Sequence, residues 1–379
     1  VSSPSAARTL GVEEEFLLLH PCTGTTSPCA ERVLARVRHA RLPDGATVQR
    51  ELRPSQIELA TGVCGDAAEI WDQLVAGRRL LAAAAAAEDC ALIASGTPPL
   101  APGSAAPGQE SGRYRGIDDT FGGLVGDYEA CGCHVHVGVE DRDTAVAVVN
   151  HLGRWLPVLL ALSANSPFDR GHDTGYHSWR MVLQSRFPGS GLAPQFRSHD
   201  EWQRSVGALV DCGALVDPDQ TFWLARVSPR LPTVELRVAD VSSTVEGSVL
   251  QAVLARALVD TALTDLACGI EAEPLSPQVC AAAVWAASRY GLTGALVDPL
   301  AQRRRPAGEL VAALLAHVRP ALAACGDEAL AGSLVREVLW RGTGSVTQLA
   351  TAADGLPAVV RSLMERTVPS ARREPAPAG

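Results

Sequence analysis

Gly11-Val12-Glu13-Glu14-Glu15-Phe16-Leu17-Leu18-Leu19 sets three acids directly against a run of large apolar residues. The run demands burial, and the stretch reads as a strand over Leu10–Leu19. Side chains alternate along a strand, so Glu13 and Glu15 share one face. Glu14 takes the other and is expected to be an outward, solvated or capping acid. Two adjacent carboxylates on the inner face of a sheet repel each other. They persist if a cation sits between them or if one keeps its proton. The residues that begin a sheet therefore also point to divalent metal. The alternative, a solvated strand start, leaves the flanking hydrophobics unexplained.

Outward from this stretch, strand patterns fall at 47–59, 91–96, 131–139 and 233–238. Helical patterns fall at 66–89, 143–163, 246–268, 277–290, 307–324, 327–340 and 345–364, with Asp66, Asp143 and Ser276-Pro277 as caps. Strands crowd the first two-thirds and helices dominate the last third, without regular βαβ alternation. That favours an α+β fold with an antiparallel sheet. Residues 166–202 lack periodicity and are rich in Gly, Pro, Arg and His, which reads as a long loop covering a substrate. A single domain over 9–366 is expected, with flexible termini at 1–8 and 370–379.

The chain has 379 residues, is 47% hydrophobic and carries a net charge of −9. That is enough for a large core and argues against a nucleic-acid binder. Neither a signal pattern nor a charge-free run of 18 apolar residues is evident, so the expectation is a cytoplasmic protein without a membrane span. All 33 basic residues are arginine. Without lysine there is neither a Walker A loop nor a lysine Schiff base, so any phosphate must be held by arginine, backbone N–H groups or metal. The ten cysteines are scattered, and reduced, mostly buried thiols are expected. The apolar helical last third permits a homo-oligomer.

Three further segments carry chemistry. In Glu51-Leu52-Arg53-Pro54-Ser55-Gln56-Ile57-Glu58, a straight strand would put Glu51 and Glu58 on opposite faces; a bend at Pro54 brings both inward. In Cys131-Gly132-Cys133-His134-Val135-His136, alternation separates the cysteines from the histidines. That disfavours zinc and turns His134 and His136 toward a metal or nucleotide, or toward a hydrogen-bonded core. In Thr233-Val234-Glu235-Leu236-Arg237-Val238, one face is apolar and the other carries an acid and a base. Glu235 can ligate metal and Arg237 can grip a phosphate or carboxylate; the plainer reading is an ion pair. An oxygen-rich set with one or two histidines suits Mg²⁺ or Mn²⁺. Carboxylate-held magnesium beside arginine is a means of phosphoryl transfer without a P-loop.

Gly11-Val-Glu-Glu-Glu-Phe16, Gln56-Ile-Glu-Leu-Ala-Thr61, Gly132-Cys-His-Val-His-Val-Gly138, Leu162-Ser-Ala-Asn-Ser-Pro-Phe168 and Pro232-Thr-Val-Glu-Leu-Arg-Val-Ala-Asp240 together resemble the carboxylate–amine ligases of the glutamate–cysteine ligase type 2 family. The likeness extends over roughly residues 10 to 350 and takes in Trp285 and Arg289-Tyr290-Gly291. It implies a glutamine-synthetase-like fold: a curved antiparallel sheet forming a funnel, with helices packed outside. It also implies ATP as co-substrate, two or three Mg²⁺ ions, an acyl-phosphate intermediate, and attack by a small amine on an amino-acid carboxylate to give an amide.

By this resemblance Glu13, Glu15, Glu51, Glu58, His134 and Glu235 are metal ligands or their neighbours. Arg237 is the phosphate clamp, and Arg237, Glu58 and His136 form the catalytic set. The loop arginines Arg170, Arg180 and Arg186 are candidates for a substrate carboxylate, and Asn165, Tyr176 and Ser178 for the pocket wall. One segment departs from the family. Arg341-Gly342-Thr343-Gly344-Ser345 has its arginine before the glycines and none after, which opens the same chemistry to a different amino acid and amine. A second class is a guanidino phosphotransferase, whose fold looks related; this chain offers no candidate cysteine for it in a suitable loop. A non-catalytic binder of nucleotide or amino acid would retain buried acids to no purpose.

Overall fold

The computed structural model describes residues 8–101 and 112–369; the expected flexible termini, apart from residue 8, lie outside them. Seven strands form one open sheet: β1 (Leu10–Leu19), β2 (Thr47–Arg50), β3 (Gln56–Ala60), β4 (Ala91–Ile93), β5 (Gly132–Gly138), β6 (Ala225–Val227) and β7 (Thr233–Asp240). The order is β2-β3-β1-β5-β7-β6, with β4 beside the end of β1, and every pairing is antiparallel. The α+β reading and the antiparallel sheet are observed.

One face of this sheet is covered by helices. α1 (Ala67–Ala86) starts where Asp66 accepts the Glu69 N–H at 2.9 Å, and buries Ile70, Leu74 and Leu81. The long α2 (Val245–Ala267) is buried along most of its length and packs with α1 behind β1 and β5. Leu10 and Val12 of β1, Val135 and Val137 of β5, and Val234 and Leu236 of β7 point into this layer and share one core with the helices. Helix Ala307–Cys325 has the length and hydropathy of a membrane span. Here its buried stripe of Leu310, Leu314 and Val318 packs on α2.

The covered face overturns one expectation. Glu14 does not reach solvent; it is 0% exposed, because the face opposite Glu13 and Glu15 is the helix layer. Arg78 of α1, also 0% exposed, meets it with Nε at 2.9 Å and Nη2 at 2.5 Å, and Ser248 of α2 donates to it as well. Arg78 further donates to the carbonyls of Ser242 and Thr367, so one guanidinium ties together β1, the start of α2 and the end of the C-terminal helix.

Other expectations shift at chain breakers. The strand over 47–59 divides into β2 and β3 at a turn around Pro54, where the Gln56 N–H donates to Arg53 O. The helix over 143–163 bends by 67° between Arg142–Leu152 and Leu156–Ser163, and its cap is Asp141, which accepts the Thr144 N–H at 2.7 Å. The 345–364 helix breaks at Gly355, where φ is +88°. Residues 166–202 are largely ordered rather than a structureless cover: they hold the hairpin Phe168–Asp169/His172–Asp173, helix α3 (Trp179–Gln184) and the start of helix His199–Asp211. Cys29 and Cys90 are both buried, and their side chains face each other in the core.

Candidate active site

The uncovered face of the sheet lines a cavity of about 420 Å³. Register explains which side chains meet there. Glu15 lies opposite Glu58 on β3, Glu13 opposite His134 on β5, His136 opposite Glu235 on β7, and Glu235 opposite Arg226 on β6. Directly opposed residues in an antiparallel pair point to the same face. Five strands therefore deliver their alternate residues to one surface. An irregularity in the pairing of β5 with β7 falls between Cys133 and Val135, at His134. Cys133 points into the helix-side core, so the cysteines and histidines do not converge.

Three groups of possible ligand atoms each lie within 4.8 Å of one another: Glu13, His136 and Glu235; Glu13, Glu58 and His134; and Glu15, Glu51 and Glu58. They share members and so form one continuous cluster. Glu51 joins it because the turn at Pro54 folds β2 back on β3. His134 Nδ1 is 3.1 Å from Glu13 Oε2, and His136 Nε2 is 3.2 Å from Glu13 Oε1. The other nitrogen of His136 meets Thr233 Oγ1 at 2.9 Å, which fixes the ring. Glu15 Oε2 accepts the Gly132 N–H at 2.6 Å. Gln49, on β2, donates to Glu58 at 2.6 Å.

The electrostatics divide this cluster. Burial, then Glu51, Glu13 and Glu15, push the Glu58 carboxyl well above its ordinary value. Burial also raises Glu15 and Glu51. Glu235 shows the opposite balance: its burial is outweighed by Arg237 and Arg226, and its carboxyl is held well below the usual range. Burial of Glu13 is likewise outweighed by hydrogen bonds with His134 and His136, and its carboxyl stays low. Burial and Arg237 keep His134 neutral-leaning, which suits a ligand.

The donor set fits a hard divalent cation: mostly carboxylate oxygen, with one histidine in each of two groups. His136 Nε2 is buried and meets Glu13 Oε1 at 3.2 Å, and the two residues belong to one ligand group.

This arrangement sets a pH dependence. Because the folded Glu58 pKa lies above its ordinary value of 4.5, the cluster's contribution to stability falls as pH rises through and above that value. Glu13 and Glu235, held low, contribute stability above 4.5 that is lost as pH falls below it. With metal removed by chelator, the melting temperature is expected to decline as pH rises from about 5 toward neutral, with the decline reduced in Glu58→Gln. An identical profile in the variant would refute this assignment of the shift.

Arg237 faces the cavity from β7, pairs with Glu235 and lies 3.4 Å from His134 Nδ1. Arg180 of α3 also reaches the cavity. It donates to the carbonyls of Arg237 and Val238 at 3.0 and 3.3 Å, and its guanidinium lies over Gly132, where an added Cβ would fall 2.3 Å from Nη2.

The remaining residues expected at the site lie away from this lining. Asn165 and Ser178 are buried beside Asp240: the Asn165 side chain donates to the carbonyls of Ala94 and Val241, and Ser178 caps α3 and donates to Asp240. Tyr176 borders a separate, largely apolar cavity of about 570 Å³ with Trp285. Arg170 and Arg186 both bind Asp127. The segment around Gly344 packs on Asn165, where Gln348 also donates.

Several lining residues were not foreseen. Tyr114, Ile117, Tyr128, Phe187 and Phe222 build an apolar, aromatic end; Phe187 and Phe222 stack with centroids 4.5 Å apart. Arg226, Asp219 and Arg230 line another part. The aromatics come from separated helices and loops with no shared periodicity, and Arg226 sits on a three-residue strand too short to read.

The antiparallel sheet thus carries helices on one face and a carboxylate–histidine–arginine cluster on the other, and the family match identifies the class as a ligase. The chain matches Glutamate-cysteine ligase family 2 over residues 9–361 and belongs to that family. It is 53% identical, over 365 residues, to a Saccharopolyspora erythraea protein provisionally named glutamate–cysteine ligase 2-2, covering 95% of this chain and 93% of that one. A Rhodopirellula baltica protein provisionally named glutamate–cysteine ligase 2 is 36% identical over 365 residues, covering 96% and 98% of the two chains. Among solved structures, the glutamate–cysteine ligase of Francisella tularensis, determined with AMP, shares the fold with a TM-score of 0.69 at 13% identity, over 99% of this chain and 91% of that one.

Proposed function

We propose that this chain is an ATP- and Mg²⁺-dependent carboxylate–amine ligase that forms an amide through an acyl phosphate, with glutamate and cysteine as the default pair. The carrying observation is the run of three overlapping ligand groups with Arg237 on the same sheet face. Glu13, Glu15, Glu51, Glu58, His134, His136 and Glu235 would hold divalent cations, which when bound supply charge neutralisation along a polyphosphate. The aromatic end offers planar surfaces suited to a nucleobase. Arg237 would donate to the phosphoryl group being transferred, and Arg180 to a substrate carboxylate. The buried side chains of Glu58, His134 and Glu235 would limit water around an acyl phosphate formed there.

The test supplies ATP, Mg²⁺ and paired amino acids and amines, and follows ADP together with product mass. Amine-dependent ADP release with an amide product is expected. ADP release with a phosphorylated guanidine and no amide would replace the ligase with a guanidino phosphotransferase. Magnesium-independent binding without turnover would remove both.

A further inference from the structure

We infer that Arg226 is a positioning residue that holds the carboxylate of Glu235 for metal binding; this rests on the reading above, in which Glu235 is a ligand. Arg226 and Glu235 are direct partners across β6 and β7, and His136 faces Glu235 from β5 on the other side. The three form a row across three strands. Arg226 Nε donates to Glu235 Oε2 at 2.7 Å and Nη2 to Oε1 at 3.2 Å, a two-point grip on one carboxylate. The remaining nitrogen, Nη1, donates to Asp219 O at 2.7 Å and to Thr221 O and Oγ1 at 3.3 and 3.2 Å. Every arm of this guanidinium is thus engaged, and Arg226 itself is only 9% exposed.

A guanidinium spent in this way is not free to bind a phosphate. Its fork fixes the plane of the carboxylate, whose Oε1 also pairs with Arg237, and holds it where its ligand atom lies within 4.8 Å of those of Glu13 and His136, the other two members of that group. Its third arm locks the 219–221 backbone, whose side chains line the same cavity.

The experiment measures Mn²⁺ binding to the nucleotide-free protein by electron paramagnetic resonance of free Mn²⁺, alongside melting curves. Five proteins are compared: wild type, Arg226→Met, Arg226→Lys, Glu235→Gln, and the Arg226→Met/Glu235→Gln double variant. Arg226→Met is expected to weaken Mn²⁺ binding roughly 10–100-fold, as loss of a partner to a metal ligand does. Arg226→Lys should fall between the two, because one ammonium cannot span both oxygens. In the Glu235→Gln background, Arg226→Met should cause no further loss.

Wild-type Mn²⁺ affinity in Arg226→Met, or an equal loss in both backgrounds, overturns the inference. If Arg226→Met does not fold, wild-type affinity in Arg226→Lys overturns it. Wild-type affinity in Glu235→Gln removes Glu235 as a ligand, a failure of the underlying reading that is distinct from a failure of Arg226 alone.

Discussion

Glu15→Gln is expected to lower amide-forming turnover by about 10²–10³-fold or more while leaving the fold intact. The amide keeps the shape of the carboxylate, and its oxygen can still accept the Gly132 N–H. What is lost is one negative charge in the group formed with Glu51 and Glu58. In the metal-free protein that loss relieves repulsion, so the melting temperature should hold or rise. With substrates it removes a cation ligand, and turnover should collapse. Initial rates across a magnesium titration, beside melting curves, separate the two. Near-normal activity at low magnesium would exclude Glu15 from the metal site.

The largest stability effect is expected on the other face of the same strand. Arg78→Met strands the Glu14 carboxylate in a site with no exposure to solvent. Removing one partner of a buried ion pair costs about 3–5 kcal/mol, because the remaining charge is left uncompensated. Arg78 also donates to backbone carbonyls at the start of α2 and near residue 367, which become unpaired in turn. Urea unfolding should show a lower midpoint at an unchanged slope. Adding Glu14→Gln to Arg78→Met should recover part of the loss, since a neutral amide is cheaper to bury than a carboxylate. A double variant no more stable than the single would show that the cost lies in the backbone contacts rather than in the charge.

The two variants concern adjacent residues of one acidic triplet, and the triplet shows how far a sequence can be read. Alternation along β1 separated Glu13 and Glu15 from Glu14 correctly, because strand periodicity is local. The destination of Glu14 was not legible. A charge at a strand's back face reads as solvated unless its partner is known, and that partner lies 64 residues away on a helix. Glu51 shows the same limit in milder form. Pro54 signalled a bend, but only the fold of β2 onto β3 showed that the bend closes a ligand group.

The loop arginines were less legible still. Arg170, Arg180 and Arg186 occur in one unperiodic stretch with equal claims, yet only Arg180 lines the cavity with the cluster. It does so because α3, capped by Ser178, aims it across Gly132. A cap and a glycine are visible in a sequence, but the direction of a six-residue helix is not.

The sequence by itself determined the α+β class, the antiparallel sheet, and the set of acids, histidines and arginine on β1, β3, β5 and β7. These follow from period-two patterning and motif order, which are properties of short segments. Only the tertiary structure decided which face of the sheet is covered, that Glu14 is buried against Arg78, and that Arg226 grips Glu235. Those outcomes depend on strand register and on helices packing from distant parts of the chain, where burial turns a surface charge into one that must be paired.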